Sequence, residues 1–384
     1  MSTLKVDGIR SNSATSDAIT LADNGTCTAN VTNNLSNKNI VINGAMKVSQ
    51  RHGTSATTTS NAYVLDRFSF YHNVTNAVTS ISQSTDNPGN GFTHSMKVDV
   101  TTAGTPGATQ HANINYNIEG QDLRHIDNGS ATAKKLTLSF WVKSPKTGNH
   151  AVGLYKAGNT TRQTTKTYSV SSANTWEKKT ITYDGDTAGG GLLITNGFGI
   201  GINFFLAAGS SMTGTDSTSW VNYSNAAYCN GHAVNCLDNA ANDFYLTGVQ
   251  LEVGSVATDF EHRSFGHELQ LCKRYYQQYI NLQISGGFVP STSSKATQVT
   301  FTFPVEFRAN PSASITNTGS SGGQYIYDGS GYQNITALDS AGLLSTTCHM
   351  NFSLSGDLTD TRTPTLGGST NTSYQTTFKF TAEL

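Results

Sequence analysis

The sequence predicts an all-β protein, and three observations carry the prediction. Charged residues make up only 13% of the 384, with seven glutamates among them, whereas helical surfaces draw heavily on Glu, Lys and Arg. Ser, Thr, Asn and Gly fill the polar positions instead, residue types that favour strands and turns. Apolar residues then recur with a period of two in segment after segment, the spacing that places them on one face of a strand. A chain of 384 residues is expected to divide into two or three packed units.

In chain order, residues 1–36 run through Leu4-Lys5-Val6-Asp7-Gly8-Ile9 and Ala18-Ile19-Thr20-Leu21-Ala22, with Ser, Asn and Asp turns between them. They carry too few apolar groups for a core, so this extended segment is expected to fold on a partner. From Asn39 onward strand candidates arrive at turn-punctuated spacing: Asn39 to Val48, Arg67 to His72, Val78 to Gln83, Ser95 to Thr101, Asn113 to Ile118, Leu136 to Lys143, Ala151 to Tyr155, Trp176 to Tyr183, Gly197 to Leu206 and Asp243 to Val253. That set predicts a jelly-roll β-sandwich over 37–262. Leu136 to Lys143 alternates most cleanly, with Leu136, Leu138, Phe140 and Val142 on one face and Trp141 on the other, away from the core.

Leu269, Cys272, Tyr276 and Tyr279 recur at helical spacing and predict a helix from Phe265 to Tyr279 inside a linker over 263–285. It either docks on the sandwich or gathers with sister copies on a trimer axis. Strands resume over 286–384 in a smaller C-terminal β domain, most clearly at Val299 to Phe307 and Phe378 to Leu384. Pro304 marks its strand as an edge or a bulge. Gly319 to Gly323 and Gly356 to Ser373 read as loops.

A formal net charge of −1 leaves no electrostatic footprint for nucleic acid. The first residues lack a signal-peptide apolar region, and the most apolar stretch, Gly191 to Ala208, is broken by polar residues, so neither export by signal peptide nor membrane insertion is expected. Five scattered cysteines argue against a disulfide framework and fit synthesis in a reducing cytosol. In Cys229-x2-His232-x3-Cys236 the readings are free thiols, a disulfide, or a metal site lacking an evident fourth ligand.

Catalytic motifs are missing: there is no G-x-S-x-G, no H-E-x-x-H and no P-loop. Glycan cleavage needs two carboxylates about 5–9 Å apart, and no pair declares itself. Asp184 and Asp186 read as a turn after a strand, or as calcium ligands, the one cofactor the chain suggests. Sugar binding asks for flat aromatic faces and planar amides on a concave surface. The long loop from Ser210 to Asn242 supplies Trp220, Asn222, Tyr223, Tyr228 and Asp238. Trp141, and Tyr325, Tyr327 and Tyr332 in a Gly-rich loop, complete the candidate set. For Trp220 and Tyr228 the alternative role is to anchor the loop; for Trp141 it is to lie under a neighbouring loop or a sister subunit; Trp176 reads as core. Asp66 and Arg67 would point to opposite strand faces and are expected to find separate partners.

Several phrases resemble phage tail-fibre and virion structural proteins, of marine podovirus or myovirus type. They are Asn39-Ile-Val-Ile-Asn-Gly-Ala-Met-Lys-Val-Ser-Gln-Arg51 with Tyr63-Val-Leu-Asp-Arg-Phe68, then Leu136 to Lys143 with Thr175-Trp-Glu-Lys-Lys-Thr-Ile181, then Thr247 to Phe260 running into Glu261 to Tyr276, and finally Phe303 to Pro311. The resemblance implies a carbohydrate-binding-module-like jelly roll in a fibre subunit, homotrimeric, attached to tail, neck or head proteins through residues 1–36 and binding host-surface glycan. The expected location is the virion, a tail fibre before a head fibre. The alternatives are a structural head, neck or decoration fibre without receptor binding and, third, a polysaccharide depolymerase.

Overall fold

The computed structural model describes residues 37–58, 60–282, 295–317, 332–356 and 376–384 in continuous runs, with short pieces at 6–10, 12, 19–21, 23, 27–29, 284–285, 287–288, 324–327 and 365–368. Two antiparallel sheets face one another over residues 63–253. Their strands are β1 (Tyr63–Leu65), β2 (Phe68–His72), β3 (Val78–Ser84), β4 (Ser95–Thr102), β5 (His111–Glu119), β6 (Leu136–Lys143), β7 (Gly148–Lys156), β8 (Arg162–Val170), β9 (Trp176–Tyr183), β10 (Phe198–Ala208), β11 (Val221–Asn222) and β12 (Asp243–Val253). The seven-stranded sheet runs β11-β8-β7-β10-β5-β2-β1 and the five-stranded sheet β9-β6-β12-β4-β3.

Alternation builds the core between them. Phe68, Phe70, Ile114, Tyr116, Ile118, Ile202 and Phe204 from one sheet meet Met96, Val98, Leu138, Phe140, Val142, Leu246 and Leu251 from the other, all buried. Phe140 lies edge-on to Phe204 at 5.0 Å and to Tyr168 at 5.0 Å. Strand β8 has no counterpart among the predicted strands, because its sequence Arg-Gln-Thr-Thr-Lys-Thr-Tyr-Ser-Val is too polar to show a period. It pairs with β7 along its whole length, and its threonines suit a pleated surface.

Asn39 to Val48 is not a strand. Asn43 and Met46 adopt φ of 60° and 57°, which breaks an extended run. The Asn43 amide replaces the ladder by donating to the carbonyls of Val48 (2.8 Å) and Asp66 (2.9 Å) and accepting from Val48 N–H (2.9 Å). Gly44 is required for a separate reason: a Cβ there would stand 2.1 Å from the Val249 carbonyl oxygen.

The predicted helix runs only over Phe265–Lys273, capped by the Ser264 hydroxyl, which accepts from His267 N–H at 3.3 Å. Tyr276–Ile280 is a strand, paired with Thr376–Thr381, whose other neighbour is Ser312–Asn317. Aromatic and β-branched residues prefer the sheet where a partner strand is at hand, and the apparent helical stripe through Tyr276 and Tyr279 comes from that overlap. Lys295–Thr302 ends before Pro304, which therefore lies outside the strand, neither on an edge nor in a bulge. The C-terminal core gathers Phe303, Phe307, Met350, Phe352, Phe378 and Phe380.

The two β units meet through charge. Arg67, with its side chain fully buried, pairs with Glu383 at 2.5 Å, stacks 3.4 Å from the centre of the Tyr275 ring and donates to the Asn117 carbonyl. Asp66 takes Gln50 at 2.6 Å and Arg51 at 3.6 Å, so the adjacent pair does find separate partners. Glu119 is held by Arg274 Nε and Nη2, at 2.8 and 2.9 Å, and by the Tyr275 hydroxyl. Near the N-terminus, Gly8–Ile9, Ile19–Leu21 and Cys27–Ala29 pair as an antiparallel ribbon, with Ile9 and Leu21 exposed. Apart from 6–10, 12, 19–21, 23 and 27–29, segment 1–36 lies outside the described residues. Among those described, no helix is long and apolar enough to cross a membrane.

Candidate functional site

The inner residues of the seven-stranded sheet fill the core, so the odd-numbered positions of β5 (His111, Asn113, Asn115) project from its outer face. Register brings Tyr71 of β2 opposite Asn113 on one side, and Asn203 of β10 opposite Asn115 on the other. Tyr155 of β7 faces Gly201 of β10. Loop 209–236 folds over part of this outer face, seating Tyr228 against Phe205 (5.1 Å between ring centres) and burying Met212 and Cys229 beneath it. What stays open is a cleft of about 360 Å³ floored by His111, Asn113 and Asn115 and walled by Tyr71, Tyr155, Tyr223 and Tyr228.

The loop is fastened at several points. Thr165 donates to the Tyr228 carbonyl at 3.0 Å, Gln163 to that of Ser224 at 3.0 Å, and Cys229 N–H to that of Met212 at 2.9 Å. His232, buried, accepts from Ala151 N–H through Nδ1 at 3.1 Å; burial pushes its imidazole down to about 3.

The rings are set edge-to-face: His111 to Tyr228 at 5.4 Å, Tyr155 to Tyr223 at 5.4 Å, Tyr223 to Tyr228 at 5.9 Å. Burial raises the Tyr228 phenol well above its ordinary value and lowers His111 to about 4. On the floor, the Asn113 amide nitrogen donates to Asn115 Oδ1 and to Asn203 Oδ1 (3.0 Å), while Asn113 Oδ1 is buried without a protein partner. His111 Nδ1 is likewise buried and unpartnered. Such groups are uncommon, since buried polar atoms are nearly always hydrogen-bonded.

Of the predicted site residues, Tyr223 and Tyr228 line the cleft. Asn222 and Trp220 flank it as fasteners: Asn222 holds Arg162 at 2.9 Å, and Trp220 packs on the core and donates to the Asp184 carbonyl at 2.8 Å. Asp238 pairs with Lys146 at 2.7 Å elsewhere on the surface. Trp141 is on the outer face of the opposite sheet, where Gly248 leaves room for its ring and that of Phe92. Trp176 is half-buried on that same face rather than in the core, its indole donating to Asp86 at 2.9 Å. Tyr325 and Tyr327 belong to strand Gln324–Tyr327, and Tyr332 stands opposite Tyr327 in register, so these three occupy strands and not a loop; the side chains of Tyr327 and Tyr332 lie outside the described residues.

Asp184 and Asp186 do not converge on a cation. Asp184 pairs with Lys135 at 2.7 Å on the surface, whereas Asp186 is buried between Lys156 (2.7 Å) and Arg162 (3.0 Å), which already neutralise it. Cys229 and Cys236 are free, buried thiols in different apolar clusters, and with His232 turned to Ala151 the three do not form a ligand set. Among the described residues no group of three His, Cys, Asp or Glu side chains is placed to hold a metal. Sequence reasoning missed Tyr71, His111, Asn113, Asn115 and Tyr155. The available signal was Asn113, Asn115 and Asn117 alternating with Ile114, Tyr116 and Ile118, an amide ladder on a solvent face.

No family model matches the chain, and no curated protein sequence matches it. Among solved structures it is similar to the enzymatically active domain of tailspike protein 4 of bacteriophage CBA120, with 14% identity and a TM-score of 0.32 over 56% of this chain; the match spans only 22% of that domain. It is also similar to a family 11 carbohydrate-binding module of Clostridium thermocellum, with 13% identity and a TM-score of 0.28 over 55% of this chain and 99% of that one. A third is a xylan-binding domain from Paenibacillus barcinonensis, at 11% identity and a TM-score of 0.26 over 48% of this chain and 91% of that one.

Proposed function

We propose that the sandwich is a carbohydrate-binding module that lays a glycan across the outer face of its seven-stranded sheet. In this reading the chain is a phage fibre subunit, joined to the particle through residues 1–36 and holding host-surface glycan without cleaving it. The observation that carries the glycan reading is the cleft: tyrosine faces beside a buried amide oxygen that no protein group answers. Aromatic faces suit the C–H surface of a sugar ring, and planar amides suit its hydroxyls. Its volume falls in the range of small-ligand sites, about 300–1,000 Å³. None of the described lining residues is a carboxylate, which supports binding over hydrolysis, since glycosidases work with a carboxylate pair. The fibre role draws its support from the sequence phrases that resemble such proteins.

Titration of the full chain against immobilised host-cell polysaccharide, with Tyr223→Ala alongside, tests the reading. Saturable binding weakened by the substitution, together with blocking of phage adsorption by the free protein, is the expected outcome. Equal binding by both proteins, or none by either, would remove the glycan site. Adsorption unaffected at saturating protein would remove the receptor role.

A further inference from the structure

We propose that the cleft selects uncharged carbohydrate, a neutral oligosaccharide segment, and rejects sugars that carry uronic acid, sialic acid or sulfate. The proposal rests on the glycan reading above and specifies the chemistry of the ligand.

The first ground is the absence of any cation to meet an anion. Among the described residues lining the cleft there is no Lys, Arg, Asp or Glu. The cations nearest along the chain are committed elsewhere. Lys156 follows Tyr155 but projects to the other side of the strand, where it is buried against Asp186 at 2.7 Å. Arg162 directs Nε to Asp186, Nη1 to Asn222 and Nη2 to the Trp220 carbonyl, so each of its three nitrogens already has a protein partner. His111 does not substitute for them: burial holds its pKa at about 4, and the ring is neutral at any ordinary working pH. A carboxylate or sulfate entering this cleft would give up hydration and gain no ion pair, and such desolvation is costly.

The second ground is the direction of the unanswered hydrogen-bonding group. Asn113 is fully buried, and its nitrogen is engaged by the side-chain oxygens of Asn115 and Asn203. That engagement leaves Oδ1 as an unpartnered acceptor just under the cleft floor, which a ligand group reaches once the side chains over it give way. A sugar hydroxyl has a proton to donate to it. An ionised carboxylate or sulfate has none and would set oxygen against oxygen. The Asn113 acceptor and the missing cation thus discriminate in the same sense, and rejection by an unpaired buried polar group is the stronger form of selectivity.

The experiment uses the full chain and matched probes. A glycan array carrying neutral structures and their acidic counterparts is followed by calorimetric titration with tetragalacturonate and its fully methyl-esterified form, which share backbone and linkage and differ in charge, at low and high salt. Expected is that every array hit is neutral, that the acidic partner of each hit binds at least tenfold more weakly, and that the neutral affinity does not change with salt. Asn115→Lys, checked for an unchanged melting temperature, is expected to narrow the neutral-to-acidic gap by placing a cation on the floor. Acidic glycans bound as tightly as neutral ones, with that binding lost in Tyr223→Ala, would overturn the selectivity while leaving the glycan site intact. Binding of neither class across the array would overturn the glycan reading itself, and this proposal with it.

Discussion

The outer faces of the five-stranded and seven-stranded sheets both carry aromatic and polar side chains, yet they satisfy their polar groups in different ways. On the five-stranded face Lys97 pairs with Asp243 at 3.0 Å, Lys143 pairs with Asp86 at 2.6 Å and lies over the Tyr245 ring, and Trp176 donates to Asp86. Each of these charges is answered by a neighbour on the same face or its bordering loop, and Lys178 beside them is exposed to solvent. At the cleft the seven-stranded face has amides and phenols in place of charges, a loop arched over part of it, and buried polar atoms, among them Asn113 Oδ1, His111 Nδ1 and Gln163 Oε1, with no protein partner. A face whose groups answer one another is scaffold; one that keeps a buried acceptor unanswered beside open aromatic rings is arranged for a third party.

Tyr228→Ala should produce the largest break in that contrast, removing about 2 kcal/mol or more of glycan binding, roughly thirtyfold in affinity, as for a central aromatic anchor. Because Tyr228 also covers Phe205, Tyr223→Ala is the cleaner companion: its ring is exposed, so the melting temperature should hold while affinity falls. Trp141→Ala, on the other face, should change affinity less than twofold by the same calorimetric titration.

Acid should separate the faces next. His232 is lowered to about 3 and His111 and His150 to about 4, in each case chiefly by burial. Below pH 6.5 the unfolded chain therefore binds more protons than the folded one, and the stability these residues contribute, complete above about pH 6.5, is lost as pH falls through 4 and 3. Asp66, raised to about 6 by burial, acts in the opposite sense, its contribution being present below about pH 4 and lost as pH rises through 6; three groups outweigh one. On the five-stranded face Asp86 is partly desolvated, but hydrogen bonds from Lys143 and Trp176 hold it below its ordinary value, so that pairing persists until lower pH. Between pH 7 and 4, hydrogen-exchange protection, taken relative to the intrinsic rate at each pH, should be lost first in loop 209–236 and only later in β6 and β9, and His232→Asn should flatten the dependence of melting temperature on pH. Protection lost first in β6 and β9 would contradict the assignment.

Smaller effects sharpen the same contrast. Asn115→Ala should weaken binding by about 1 kcal/mol, the value of one hydrogen bond, with little change in fold. Asp243→Asn, which removes a partly exposed ion pair on the five-stranded face, should alter stability by at most about 1 kcal/mol and leave glycan affinity untouched, as thermal denaturation and titration would show.

The sequence made strands visible where alternation was strong: β6, β9 and β12 match their predicted bounds. It failed where side chains replaced the ladder, as at Asn43, and where a strand was polar, as in β8. At the site, the loop's aromatic density pointed to Tyr223 and Tyr228, but not to the floor beneath them. Tyr71, Asn113 and Tyr155 come together only through the strand order β7-β10-β5-β2, a set of pairings between segments far apart in the chain, which no local spacing encodes. Composition likewise could not separate Asp186 the calcium candidate from Asp186 the buried partner of two cations.

The central claim, that the cleft and not the opposite face holds glycan, is tested most directly by nuclear magnetic resonance of the full chain during titration with a bound oligosaccharide. The three tryptophan indoles and the side-chain amides divide between the two faces. The account predicts that the Asn113 and Asn115 amide signals shift with saturation while the Trp141 and Trp176 indoles stay fixed. Shifts of those two indoles, with the cleft amides unmoved, would contradict it.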